Sequence, residues 1–161
     1  MRRFLFLVLL LCPEFLAADH LPASPMARGI PEKTLSGIDI HRSHLKTLID
    51  RFGQPTSYKK YPETEEAAEV TWDKDGTIIH ATINADDIAY AVEVSGKPSA
   101  LAKTGDGLML GGALRDLERI YGTRFVKQGN QITIQWKDGT EMRAKFNGPR
   151  IVSILLLAEV E

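Results

Sequence analysis

The glycine-rich stretch TGDGLMLGGALRDLERIYG, residues 104–122, comes closest in residue type to a nucleotide-binding loop. A phosphate-binding P-loop needs Lys and then Ser or Thr directly after its last glycine, but Gly111-Gly112 is followed by Ala113 and Leu114. A dinucleotide-binding loop would follow a buried strand of a parallel βαβ unit, whereas hairpin signals dominate this chain. We therefore predict that the glycines turn the chain into a helix beginning near Ala113, and we expect no cofactor.

Two histidines, His41 and His44, lie close to Asp39, a spacing that a metal ion could use if further ligands converged. A second, similar segment carries no metal-binding side chain at the corresponding positions, around residues 110–113. We therefore predict a solvated helix start, with Ser43 as its N-cap, and no metal site.

Acidic clusters are further candidates for chemistry. The segment DKDGT at 73–77 could begin a calcium loop, but an EF-hand needs further ligands and a Glu at its twelfth position, which favours a turn. Asp86-Asp87 could serve acid–base catalysis, although Pro149-Arg150 occupies the same place in the similar segment. The run ETEEAAE at 63–69 is interpreted as a solvated loop. We predict no catalytic residues, and a hydrolase of unknown class is the third functional hypothesis.

The first eighteen residues, MRRFLFLVLLLCPEFLAA, have the layout of a secretory signal peptide, with arginines, an apolar run and small residues in order. Pro13 interrupts the apolar run well before the roughly 20 residues that a membrane-spanning helix needs. We predict cleavage near Ala17 or Ala18, a flexible leader over 19–34, and a periplasmic or secreted protein without a membrane span. A lipid on Cys12 stays open as an alternative, although Leu11 stands where lipoprotein signals usually have Gly, Ala or Ser.

Composition and charge exclude several classes of function. The chain has one cysteine and a formal net charge of −1. Because Cys12 lies in the predicted signal peptide, the processed chain has no disulfide and no thiol nucleophile. The charge balance gives no basic surface for nucleic acid, so we expect another protein as partner and leave the oligomeric state open.

The chain is similar to itself in three ungapped segments. HLKTLIDRFG at 44–53 aligns with ALRDLERIYG at 113–122, and both end in an aromatic residue and Gly. DGTIIHATIN at 75–84 aligns with DGTEMRAKFN at 138–147, and DDIAYAVEV at 86–94 with PRIVSILLL at 149–157. We infer two tandem α-β-β-β-β repeats, over 35–96 and 104–161. The predicted fold class is α+β, a mostly antiparallel sheet with helices packed on one face.

Asp-Gly turns between alternating runs predict eight strands. The expected ranges are 57–61, 67–73, 77–84, 88–94, 124–127, 131–136, 140–146 and 151–157. The last strand contains ILLL at 154–157, which is apolar on both faces, so we predict that it is central or covered.

The hairpin registers decide which side chains share a face. A two-residue Asp-Gly turn in the first hairpin sets Trp72 opposite Ile79. In the second hairpin, a loop one residue longer, with Gly139 at positive φ in a bulge, sets Ile134 opposite Met142 and keeps apolar side chains together. Both tryptophans are then expected to point toward the helices.

The same register assigns the opposite face of the sheet to Thr71, Ile78, His80, Thr82, Thr133, Gln135, Glu141, Arg143 and Lys145. The two halves match at core positions but differ in chemistry on this face. Two copies of a duplicated unit differ in this way where they contact a partner. The alternative is that the residues of a solvated surface have changed without any functional role. The candidate partner-binding face consists of Ile78, His80, Thr82, Gln135, Arg143 and Lys145.

The pattern GLMLGGALRDLERIYG followed by a strand meander, in tandem behind a signal peptide, resembles the beta-lactamase-inhibitor-protein-like fold. It is also similar to the small outer-membrane assembly lipoproteins of the SmpA/OmlA type, which carry a single related unit. The resemblance covers most of residues 35–160. The processed chain lacks the disulfides of the inhibitor proteins, and LLLC departs from the lipobox of the assembly lipoproteins, so no particular partner is implied.

Members of these families bind other proteins through the sheet or its loops. The resemblance therefore implies a non-enzymatic protein-binding module, inhibitor-like or envelope-assembly-like. The alternative is a small-molecule carrier with a pocket between helices and sheet. A packed interior with an exposed polar and aromatic face would favour the binding module, and a deep apolar cavity would favour the carrier.

Overall fold

The computed structural model of the chain describes residues 31–61 and 66–158. The predicted signal peptide, Cys12 and most of the predicted leader lie outside these residues. The helices are α1 (Leu45–Phe52) and α2 (Leu114–Tyr121). The strands are β1 (Thr34–Leu35), β2 (Ile38–Asp39), β3 (Ser57–Lys60), β4 (Glu66–Lys74), β5 (Thr77–Asn84), β6 (Ala89–Gly96), β7 (Val126–Gln128), β8 (Gln131–Gln135), β9 (Glu141–Asn147) and β10 (Arg150–Leu157).

Eight of these strands form one antiparallel sheet in the order β3-β4-β5-β6-β10-β9-β8-β7, and β1 pairs with β2 separately. The α+β class with a mostly antiparallel sheet is thus confirmed. Each of the eight predicted strands is observed, with bounds that differ by at most two residues. β10, which contains the apolar run 154–157, lies between β6 and β9, so the prediction of a central position is correct.

Both predicted hairpin registers are confirmed. Trp72 pairs with Ile79 across the turn at Asp75-Gly76, where both residues have positive φ, 56° and 88°. In the second hairpin Ile134 pairs with Met142, and the N–H of Trp136 donates to the Thr140 carbonyl at 2.9 Å. Gly139 has a φ of 80°, as the longer loop requires.

The helices begin close to the predicted residues. Ala113 precedes α2 as its N-cap, and its N–H donates to the Asp116 carboxylate at 2.8 Å. The prediction of Ser43 as N-cap of α1 is wrong: His44 holds that position, and the Ser43 hydroxyl accepts the N–H of Asp39 at 2.9 Å. The Ser43 side chain thus closes the preceding turn and caps no helix N–H.

The core lies between the helices and one face of the large sheet. Trp72 and Trp136 are both buried, as predicted, and each contacts an aromatic residue at the end of a helix. The Phe52 and Trp72 ring centroids are 5.5 Å apart, and those of Tyr121 and Trp136 are 5.9 Å apart. Within residues 31–61 and 66–158, no helix has the length and apolar character needed to cross a membrane.

Candidate functional site: the open face of the sheet

The open face is the side of the eight-stranded sheet whose side chains alternate with the buried ones. Because antiparallel partners project to the same side, the strand register fixes its rows. The central row, from β4 to β8, is Thr71, His80, Glu93, Leu155, Arg143 and Thr133. These side chains are partly exposed, whereas their strand neighbours toward the helices are buried.

All six residues of the candidate partner-binding face lie on this side, and none is buried. They form two groups. Ile78, His80 and Thr82 belong to β5, whereas Gln135, Arg143 and Lys145 belong to β8 and β9. β6 and β10 separate the groups, so β5 and β9 are three strand spacings apart, about 14 Å.

The strands between the two groups, β6 and β10, contribute side chains that the sequence-based prediction of the binding face does not include. Glu93 of β6 and Leu155 and Leu157 of β10 project onto the open face between His80 and Arg143. Strand alternation in 89–96 and 150–157 could have identified them, but their position at the centre depends on the pairing of β6 with β10.

Polar side chains of the open face bind one another. The Ser153 hydroxyl donates to Glu93 Oε1 at 2.5 Å, and Thr71 Oγ1 lies 3.0 Å from His80 Nδ1. Arg143 Nε donates to a Glu141 carboxylate oxygen. The arrangement presents charged and apolar side chains side by side on one face of the sheet.

The other candidates are turns and a helix start. His41 and His44 are exposed, and within the described part of the chain no cluster of three or more His, Cys, Asp or Glu could hold a metal ion. In DKDGT, the Asp73 carboxylate accepts the N–H of Gly76 at 2.8 Å and closes the hairpin turn. Asp86-Asp87 is exposed in the β5–β6 turn. Of the acidic run 63–69, residues 63–65 lie outside the described residues, and the rest belongs to β4 instead of the expected loop, because it pairs with β5.

The glycine-rich stretch binds an anion from its own chain. The Glu32 carboxylate is buried and accepts the N–H groups of Thr34 and Asp106, each at 2.8 Å, and the Tyr121 hydroxyl at 3.1 Å. A Cβ at Gly105 would lie 2.9 Å from Glu32 Oε1, so any other residue at this position would require the carboxylate to shift. Burial is the main cause that raises the pKa of Tyr121, and the charge of Glu32 adds to it.

The second half of the stretch leads into α2, as predicted. Gly111 has a φ of 79°, its N–H donates to the Ile151 carbonyl at 2.8 Å, and the Gly112 carbonyl accepts the N–H of Ile151 at 2.9 Å. Sequence reasoning missed Glu32, which falls in the expected leader. Nothing in the sequence next to Glu32 indicates that two of its partners, Asp106 and Tyr121, lie beyond residue 100.

No family model matches the sequence, and no curated protein matches it. Among solved structures, the chain is similar to the crystal structure of a DUF4309 family protein, YjgB, from Bacillus subtilis. The TM-score is 0.51 at 14% sequence identity, and the match covers 76% of this chain and 83% of that chain. At this identity the similarity shows a shared fold alone.

Proposed function

We propose that the protein is a non-enzymatic, periplasmic or secreted protein-binding module that uses the open face of its sheet. The observation that carries this proposal is that no described element covers that face, although it extends over eight strands. Antiparallel sheets that pack one face on a core leave the other to solvent or to a partner.

The composition of the open face supports recognition of a protein. Leu155 and Leu157 lie at its centre, and Glu93, Arg143 and Lys145 flank them. Protein interfaces commonly have an apolar centre within a polar rim. Charged rim residues chiefly accelerate and orient association, and we assign this role to Arg143 and Lys145.

We further propose that the sheet consists of two tandem α-β-β-β-β repeats related to the beta-lactamase-inhibitor-protein-like and SmpA/OmlA-type folds. The sheet order supports this, because each half runs from one edge strand to the centre, where β6 meets β10. Leu48 and Leu117, which align in the sequence, are both buried. Gly53 and Gly122 end their helices with the same φ of 77°.

The proposal is tested by reversing charge on the open face. In the double variant Arg143→Glu/Lys145→Glu, the stability change at exposed Lys145 should be no more than about 0.5 kcal/mol, and the change at Arg143 should be larger, because Glu there replaces the ion pair with Glu141 by two like charges. Association with a partner captured from envelope extract should slow several-fold and lose its original salt dependence. The single variant Lys145→Glu gives the same test without placing a second acid beside Glu141.

The matched control is Arg42→Glu/Lys46→Glu, which makes the same change in net charge at exposed sites near α1. It should bind the partner like the parent protein. If the open-face variants are folded by circular dichroism and also bind like the parent, the open face is not the binding surface.

The alternative function, a small-molecule carrier with a pocket between helices and sheet, is favoured by one observation. A groove of about 510 Å³ lies where α2 meets β8 and β9. The described residues contain no buried side-chain polar atom without a partner.

A further inference from the structure

The groove lies on the helix side of the sheet, beside the first turn of α2. Its apolar surface comes from Ala113 and Leu114 at the start of α2 and from Ile132 and Phe146 of β8 and β9. The β7–β8 and β9–β10 turns, which lie at the same end of the antiparallel strands, also line it, at Gly129-Asn130 and Gly148-Pro149. The Asn130 side-chain amide donates to the Phe146 carbonyl at 3.2 Å and holds the β7–β8 turn against β9.

Among the described residues, two cations and no carboxylate line this groove. Arg115 follows Leu114 on α2, and Lys127 lies on β7, opposite Ile132. Since Ile132 is buried beneath the helix side of the sheet, this register places Lys127 on the same side, next to the groove. Neither cation forms an ion pair with any described residue.

Size and charge together indicate the class of ligand. A volume of about 510 Å³ is within the range of small-molecule sites, roughly 300–1,000 Å³. The apolar floor suits an aliphatic chain, and the two unpaired cations suit one negative head group. The Ala113 N–H at the start of α2 is already bound by Asp116, and Arg115 and Lys127 supply the positive charge beside the groove.

We propose that this groove binds a free amphipathic anion, a carboxylate on a medium-length aliphatic chain. The carboxylate lies between Arg115 and Lys127, and the chain packs on Leu114, Ile132 and Phe146. The groove is on the side opposite the open face, so this site is independent of the proposed protein-binding surface and its test does not depend on that proposal.

The test is calorimetric titration of the full chain with octanoate, decanoate and dodecanoate, each below its micelle concentration. Burial of each added methylene should lower Kd by up to about fourfold until the groove is full. Decyltrimethylammonium, which has the same chain and the opposite charge, should bind at least about tenfold more weakly than decanoate, because two cations repel it.

Two variants locate the site. Arg115→Gln/Lys127→Gln should raise the Kd of decanoate about fourfold to twenty-five-fold, given roughly twofold to fivefold for each exposed ion contact. Ala113→Phe should abolish binding by filling the groove. The control, Arg124→Gln/Lys137→Gln, removes two exposed cations that do not line the groove and should leave Kd unchanged.

Four results would overturn the proposal. The first is an absence of carboxylate binding at millimolar concentration. The second is equal binding of decanoate and decyltrimethylammonium, which would indicate a nonspecific apolar surface. The third is an unchanged Kd in both groove variants once circular dichroism shows that they are folded. Binding to anionic lipid vesicles without binding of monomeric carboxylate would also contradict it, because the proposed ligand is free in solution.

Discussion

The buried carboxylate of Glu32 affects a neighbouring acid, Asp106. Burial and, after it, the charge of Glu32 raise the pKa of Asp106 above its ordinary value of 3.8. Because the pKa of Asp106 is higher in the folded state than in the unfolded state, protonation of Asp106 favours the folded state. This contribution to the free energy of unfolding is fully present below pH 3.8. It is lost as pH rises through the raised pKa, so ionised Asp106 slightly destabilises the fold at neutral pH.

We therefore predict that Asp106→Asn increases the free energy of unfolding at pH 7. The gain should be only a few tenths of a kcal/mol, because the Asp106 side chain is largely exposed and solvent screens its charge. At pH 3, where the aspartate is mostly protonated in both states, the gain should vanish. Urea denaturation at the two pH values measures the difference.

A double-mutant comparison shows whether Glu32 is responsible. In a Glu32→Gln background, Asp106→Asn should gain less at pH 7, since the neighbouring charge is gone. Asp50→Asn, at an exposed site on α1, is the control and should show no such coupling. A gain from Asp106→Asn that is the same at pH 3 and pH 7 would rule out titration as its cause.

At the scale of the helices, each helix ends at a glycine, and any other residue at that position lowers the stability of the fold. Gly122 has φ 77° and ψ −164°, and Gly53 has φ 77° and ψ −168°. These angles lie outside the left-handed helical region that Asn and Asp tolerate. They fall in a region that is essentially restricted to glycine.

We predict that Gly122→Ala lowers the free energy of unfolding by about 1–3 kcal/mol, the usual cost of such backbone strain. Nothing lies within 4 Å of a Cβ at this position, so strain alone is responsible. Gly122→Asn should be as damaging as Gly122→Ala. Chemical denaturation of the two variants measures both effects.

Gly139 provides the control. Its N–H donates to the Trp136 carbonyl at 3.2 Å, and it ends the three-residue hairpin loop with a φ of 80°. The last residue of such a loop adopts the left-handed helical conformation, which Asn tolerates. Gly139→Asn should therefore change stability by less than about 0.5 kcal/mol. If Asn at position 122 were tolerated as well as Asn at position 139, α2 would end in an ordinary left-handed residue and not in a conformation restricted to glycine.

Local sequence signals were sufficient to predict the strands of the sheet and their hairpins. They did not reveal which distant segments pair with one another. The hairpin registers followed from two Asp-Gly turns and the alternation beside them. The same alternation placed Ile78, His80 and Arg143 on the open face. By contrast, the pairing of β6 with β10 joins residues about 60 positions apart, and Glu32 contacts Asp106 and Tyr121 from still farther. Periodicity within a segment carries no information about such partners.

At the scale of the whole chain, export is a prediction that falls on residues outside those described. The arginines followed by an apolar run and Ala17-Ala18 predict a mature N-terminus near Ala18 or Asp19. N-terminal sequencing of the protein recovered from the cell envelope measures this directly. An intact Met1 would contradict export, and a lipid on Cys12 would replace the soluble form with a membrane anchor.

The two halves of the described chain share one hydrophobic core. Val94 pairs with Ile154 and Val92 with Leu156 where β6 meets β10, and all four side chains are buried. The segments before the helices are also joined, because the N–H of Ser36 donates to the Lys103 carbonyl at 2.8 Å. Neither half therefore buries its apolar surface without the other.

We predict that the two halves unfold in a single two-state transition, as small domains with one core usually do. Trp72→Phe leaves Trp136 as the fluorescent reporter of the second half, and Trp136→Phe leaves Trp72 as the reporter of the first. In each variant the urea midpoint from fluorescence should equal the midpoint from circular dichroism, which monitors both halves. Because each substitution changes stability on its own, the two midpoints are compared within each variant. A fluorescence midpoint that departs from the circular dichroism midpoint in either variant would mean that the halves unfold separately and that the β6–β10 pairing does not couple them.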